Sequence, residues 1–156
     1  MAEKWEISKE YAAIGQALIR QRDELRHLES ATIIYLESEH EKKRNKKRVL
    51  GLCERVQDKN KWAIPADFTI TFYKPNIAHL TEEQKAAVVY HELLHVGWEK
   101  EEASIIPHDT EDFMAVLELF GVRWNTQGAE IQNKGMLREA LEEAGGILLA
   151  EDISNG

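Results

Sequence analysis

The sequence predicts an α+β domain, on three observations. An apolar stripe of helical period opens the chain, three β-rich segments follow between residues 31 and 73, and a capped apolar run begins at Thr81. Strands gathered between helices by short links favour a small antiparallel or mixed sheet. No repeat, low-complexity linker or second domain interrupts the 156 residues, so the whole chain is read as one domain.

Residues 8 to about 29 read as an amphipathic helix. Ser8 supplies a cap, and Tyr11, Ile14, Leu18, Leu25 and Leu28 form a stripe expected in the core. Residues 31–37, ATIIYLE, are β-branched and aromatic, which favours a strand. Residues 49–56, VLGLCERV, read as a second strand, and residues 59–65 as a loop or short edge segment. In residues 67–73, DFTITFY, Phe68, Ile70 and Phe72 alternate onto one face, giving a third strand that Lys74-Pro75-Asn76 ends. A helix is expected from Thr81 to about Trp98: Thr81 with Gln84 spells a capping box, and Glu82 and Glu83 suit its positive end. Residues 99–107 read as a polar loop. A second helix is expected from His108 to Phe120, with Gly121 ending it, and a third from Lys134 to about Ala144, closed by Gly145-Gly146. Residues 147–150 suit a short strand or a docked tail.

The chemistry concentrates in His91-Glu92-Leu93-Leu94-His95. Positions i and i+4 of a helix share a face, so His91 and His95 aim two imidazoles at one point, as a tetrahedral Zn2+ requires. Glu92 is poorly placed as a ligand but well placed to take a proton from a metal-activated water. An amphipathic helix that merely carries two histidines is the plain alternative. Against it, imidazoles among Ala87, Tyr90 and Leu94 need a partner to offset their burial.

A catalytic zinc site wants a third protein ligand. His27 lies in a polar stretch, His40 in a charged one, and His79 just before the helix. His108, placed where a following helix returns over the first, is preferred. Asp112 and Glu118 are the alternatives, with Glu111 a poorer one. The HExxHxxGxxH pattern is excluded, because Trp98 and Glu101 stand where Gly and His are needed. Asp109 and Asp112 are candidates to hold the ligand imidazoles through their other ring nitrogens, although capping is the more natural use of Asp109.

HELLHVGW followed by IPHDTEDFMAVLELFGVRW resembles the putative phage metallopeptidase family, a relative of the SprT/Spartan-like zincins. The segments KKRVLG, ADFTI and EEQKAAVVYHELLH resemble it too, so the likeness covers about residues 31–124. It implies a small zincin-like fold: an N-terminal helix, a three-stranded sheet, an HExxH active-site helix and following helices. It also implies Zn2+ on His91, His95 and His108, Glu92 as the catalytic residue, protein or peptide substrates, and a phage or prophage origin. Tyr90 stands where an Asp is often expected.

Charge and cysteine content bound the remaining classes. The net charge is −8, which excludes a general nucleic-acid binder. Yet Lys42, Lys43, Arg44, Lys46, Lys47 and Arg48 place six cations within seven residues. Without them the chain carries 14 cations against 28 acids, a net of −14. The run reads either as a solvated hairpin tip or as a patch making weak DNA contact. Single-stranded DNA would need aromatics beside it, and Tyr35 and Trp62 are nearest in sequence. A single cysteine, Cys53, excludes an internal disulfide. No apolar run approaches the roughly 20 residues of a membrane span, and the opening MAEKWEISKEY carries no apolar signal segment. A cytoplasmic protein without membrane partners is expected.

Overall fold

The computed structural model describes residues 4–44, 46–107, 114–121, 124–125 and 131–155. Its centre is a mixed sheet. Strand β1 (Trp5–Ile7) is followed by helix α1 (Lys9–Gln21), a 3-10 segment (Asp23–Ser30) and β2 (Ile33–Ser38). A small ribbon, β3 (Lys43–Arg44) and β4 (Lys47–Arg48), precedes β5 (Gly51–Arg55) and β6 (Phe68–Tyr73). The sheet order is β1-β2-β6-β5, with β2 parallel to β6 and the outer pairs antiparallel. The three expected strands are all present. The fourth, β1, was not foreseen. It occupies an edge, and all three of its residues are exposed, so no alternation marks it.

The alternation in β6 sets the core. Phe68, Ile70 and Phe72 are fully buried, each contributing about 1.5–3 kcal/mol of apolar transfer. Tyr11 of α1 stacks on Phe72 with ring centroids 4.2 Å apart. The α1 helix lies close on β2, since a Cβ added at Gly15 would strike the Tyr35 ring. Ser8 caps α1 as expected, accepting from the Tyr11 amide at 3.1 Å. The single helix expected over residues 8–29 is broken at Arg22, whose extended backbone turns the chain into the 3-10 segment.

After β6 comes a single helical turn, α2 (Lys74–Ile77), where a strand end was expected; Pro75 fits its first turn, where no amide donor is missed. Helix α3 (Glu82–Leu94) then runs through the middle of the molecule, and Ala86, Ala87, Val88, Val89, Tyr90 and Leu93 are all buried. Two antiparallel strands, β7 (Val96–Glu99) and β8 (Glu102–Ile105), replace the expected end of that helix and the expected polar loop. Helix α4 is described over Met114–Phe120, and Phe120 meets Tyr90 edge-on at 5.6 Å. Helix α5 (Lys134–Asn155) continues through Gly145-Gly146, where an end was expected. Leu137, Ala140 and Ala144 bury one side of it, and Ile147 and Leu148 extend the contact past the glycines, so packing overrides their poor propensity.

Candidate metal centre

The site is built from the start of α3 onward. Thr81 and Gln84 form the predicted capping box: the Thr81 amide donates to Gln84 Oε1 at 2.9 Å, and the Gln84 amide donates to Thr81 Oγ1 at 3.1 Å. The Gln84 side-chain amide also donates to the Trp124 carbonyl at 2.9 Å. One capping residue therefore fixes both the register of the helix and the position of Trp124. That indole is buried, with its ring 5.8 Å from His91.

At the far end of α3, His91 and His95 lie one turn apart with ring centroids 5.3 Å apart. His95 is the C-cap and keeps helical dihedrals, so the i, i+4 relation survives although the helix stops at Leu94. Glu92 is only 4% exposed, and its Oε1 lies 3.9 Å from His91 Nε2. One ligand atom from each of His91, Glu92 and His95 falls within 4.8 Å of the others, the one such group among the described residues.

Two features that the sequence reading missed hold this group. The first is the β7–β8 ribbon. Just beyond it the Ile106 amide donates to the His95 carbonyl at 2.7 Å, and the Ile106 carbonyl lies 2.7 Å from His95 Nδ1. A carbonyl only accepts, so Nδ1 carries the proton and Nε2 keeps its lone pair for a metal. The second is Gly51 at the start of β5. A Cβ there would lie 3.1 Å from Glu92 Cγ, so the strand passes directly over the carboxylate. Cys53, on the same strand, is buried, and burial followed by the nearby Glu92 and Glu54 charges pushes its thiol well above the usual range. It is a packed, unreactive thiol.

Beside the histidines opens a cleft of about 160 Å3, lined by His91, Glu92, Gly51, Trp124 and, from the basic ribbon, Arg48. The structure thus brings Arg48 to the same cleft as the HELLH residues, a neighbourhood that sequence distance conceals. The donor set fits a metal: two imidazoles whose nitrogens converge, one with its tautomer fixed, and an adjacent buried acid.

The sequence model of the putative phage metallopeptidase family matches residues 3–134. The chain belongs to that family. Membership supports a metal cofactor and protein or peptide substrates, and it extends the likeness to both sides of the segment recognised from motifs alone. Neither a curated protein nor a solved structure matches the chain.

The remaining expected positions divide in two. His27, His40 and His79 are all exposed and stand apart from the His91–Glu92–His95 group. His108, Asp109, Glu111 and Asp112 lie outside the described residues, as does the side chain of Glu118. Tyr90, on the helix just before the site, points away to donate its hydroxyl to Glu24 at 2.9 Å. No described helix is long and apolar enough to cross a membrane.

Proposed function

We propose that this member of the family is a zinc-dependent peptidase in which His91, His95 and His108 hold the metal and Glu92 is the general base. The observation that carries the reading is the convergence of His91, Glu92 and His95 within 4.8 Å, beneath a strand whose glycine makes room for the acid. Three neutral imidazoles suit Zn2+. When bound, that ion would lower the pKa of a coordinated water to about 7 and polarise a peptide carbonyl.

The chain's own residues supply the rest. Glu92 accepts a proton from the attacking water and delivers it to the leaving amine. The Ile106 carbonyl keeps His95 in one tautomer. Strand β5 forms the sheet edge over Glu92, and its main-chain groups would pair with an extended peptide. A regulatory metal-binding protein is the alternative, but it has no use for a buried acid beside the histidines. The lone thiol of Cys53 suits the reducing cytoplasm of a host cell, where we place the protein.

Metal content and casein hydrolysis test this reading, with added Zn2+ compared against EDTA. The purified protein should hold about one zinc per chain, and His91→Ala or His108→Ala should each lower that sharply. Full occupancy in His108→Ala would move the third ligand to Asp112 or Glu118. Glu92→Gln should keep the metal and lose hydrolysis by roughly two to four orders of magnitude. Retained activity in that variant would remove Glu92 from its role.

A further inference from the structure

The basic ribbon carries an electrostatic conflict. Its register places Lys43 opposite Arg48, cation facing cation, and pairs the backbone of Arg44 with that of Lys47. Like charges directly opposite each other destabilise an antiparallel pair. Among described residues the relief is slight: one exposed carboxylate, Glu41, lies 3.8 Å from Arg48 and 4.0 Å from Lys43, at the limit of ion pairing.

A solvated tip could avoid this conflict by fraying, but the ribbon is fastened at its base. Asn76, fully buried, donates its side-chain amide hydrogens to the Lys42 and Val49 carbonyls, each at 2.8 Å. The Val49 amide closes the same ring onto the Lys42 carbonyl at 3.0 Å. Above that base Lys46 takes a positive φ of 66°. A repulsive charge pattern held rigid is a local violation of the kind that folds tolerate at functional sites. Here it stands at the rim of the cleft, with Arg48 sharing the lining with His91 and Glu92.

We propose that the ribbon is a specificity subsite, in which Arg48 selects polypeptide substrates bearing an Asp or Glu side chain a few residues from the scissile bond. This rests on the peptidase reading above. A substrate carboxylate against Arg48 would quench the Lys43–Arg48 repulsion and form a charge-assisted, fork-shaped contact.

An acidic peptide suits this site better than a nucleic acid. The remainder of the chain carries −14, which repels a long polyanion but is largely screened for a short segment beyond about 8 Å. The stacking surface that single strands need is also missing beside the ribbon among the described rings. Tyr35 is buried, so is Tyr73 beneath Lys42, and Trp124, which shares the cleft with Arg48, is only 2% exposed. Trp62, though 88% exposed, follows the Arg55 end of β5, whereas the ribbon precedes the Gly51 end.

The test uses peptide hydroxamates extending to either side of the zinc-binding group, with Glu or Gln at each position in turn, titrated calorimetrically into the zinc-loaded protein. Glu should bind about tenfold tighter than Gln at one position. Arg48→Gln should erase that difference, and Arg48→Glu should invert it. Folding of both variants is checked by thermal melting, with Lys43→Gln as a milder second variant that should reduce the preference. A Glu–Gln difference that is absent, or unchanged in Arg48→Gln, overturns the proposal. If no hydroxamate binds, the zinc reading has failed instead. Anisotropy of a fluorescein-labelled Glu-rich dodecapeptide on the metal-free protein then decides: binding lost in Arg48→Gln sustains the subsite, and any other result overturns it. Tighter binding of a 12-nucleotide DNA than of that peptide at roughly 150 mM ionic strength also overturns it, in favour of a nucleic-acid site.

Discussion

Two ribbons of similar build flank the HELLH helix, and they are stabilised in opposite ways. Both are antiparallel pairs with positive φ between the strands, at Lys46 in one and at Lys100 and Glu101 in the other. The β7–β8 ribbon is packed. Val96 and Gly97 are buried, and Trp98 meets Phe68 edge-on at 6.5 Å while its indole N–H donates to Ser30 Oγ at 2.7 Å. The β3–β4 ribbon has no apolar face. Its described side chains are exposed cations, and its rigidity comes from the buried amide of Asn76 below. The packed ribbon can hold the His95 imidazole in one orientation, because displacing it would open the core. The charged ribbon can present cations to solvent and to a substrate without holding any part of the metal group. In the proposed peptidase, one would serve the metal and the other what approaches it.

The largest effect should come from loosening the packed ribbon. A Cβ at Gly97 would lie 2.9 Å from the Ser104 carbonyl oxygen and nearer still to its hydroxyl, so Gly97→Val must push the two strands apart. That shift carries Ile106 away from His95 Nδ1. Zinc affinity, measured by competition with a chromogenic chelator, should fall about 10- to 100-fold, the usual effect of losing the group that orients a ligand histidine. The metal-free protein should lose only about 1–3 kcal/mol, the typical cost of overpacking. Unchanged zinc affinity would mean that His95 is held by the helix alone.

This ribbon is also where the sequence was least legible. Its turn is Lys100-Glu101, both with positive φ, where Asn-Gly or Asp-Gly would have announced a hairpin. Without that signal, Val96–Trp98 reads as more helix and Glu102–Ile105 as loop. The helix itself was legible because its start is written in side chains: Thr81 and Gln84 make the bonds their spacing predicts. Strand β6 was legible because Phe68, Ile70 and Phe72 alternate in sequence and share one buried face, although Thr71 and Tyr73 are buried as well. Gly51 and Trp124 were invisible as site residues, since nothing local says that a strand about 40 residues upstream, or an indole about 30 downstream, will meet the same helix face. The grouping of His91, Glu92 and His95 could be read from spacing alone, but the groups that pack against them come from tertiary contacts.

A smaller effect, confined to the charged ribbon, is expected from Asn76→Ala. Two backbone carbonyls lose their side-chain donor, for a destabilisation of about 2 kcal/mol by urea unfolding. Zinc affinity should not change, since no bond of Asn76 reaches α3 or the β7–β8 ribbon. A parallel loss of zinc would show that the two ribbons are coupled, and would break the division of labour drawn above.

The smallest expected effect has an unusual sign. Most substitutions destabilise, but Lys43→Ser should stabilise the protein by about 0.2–1 kcal/mol, because it removes the charge facing Arg48 across the ribbon. The variant also loses the contact between Lys43 and Glu41. At 4.0 Å between exposed groups that contact contributes little, and Glu41 keeps Arg48 at 3.8 Å. Serine is no worse than lysine in a strand, so propensity does not reverse the sign. The gain must also be electrostatic in its signature: present in low salt and fading as ionic strength rises toward about 1 M, where the screening length shrinks to about 3 Å. Thermal melting of the parent and variant at both ionic strengths measures this directly. A variant less stable than its parent at low salt would mean that the facing cations are already compensated within the folded chain, and the ribbon would have no unmet charge to offer a substrate carboxylate.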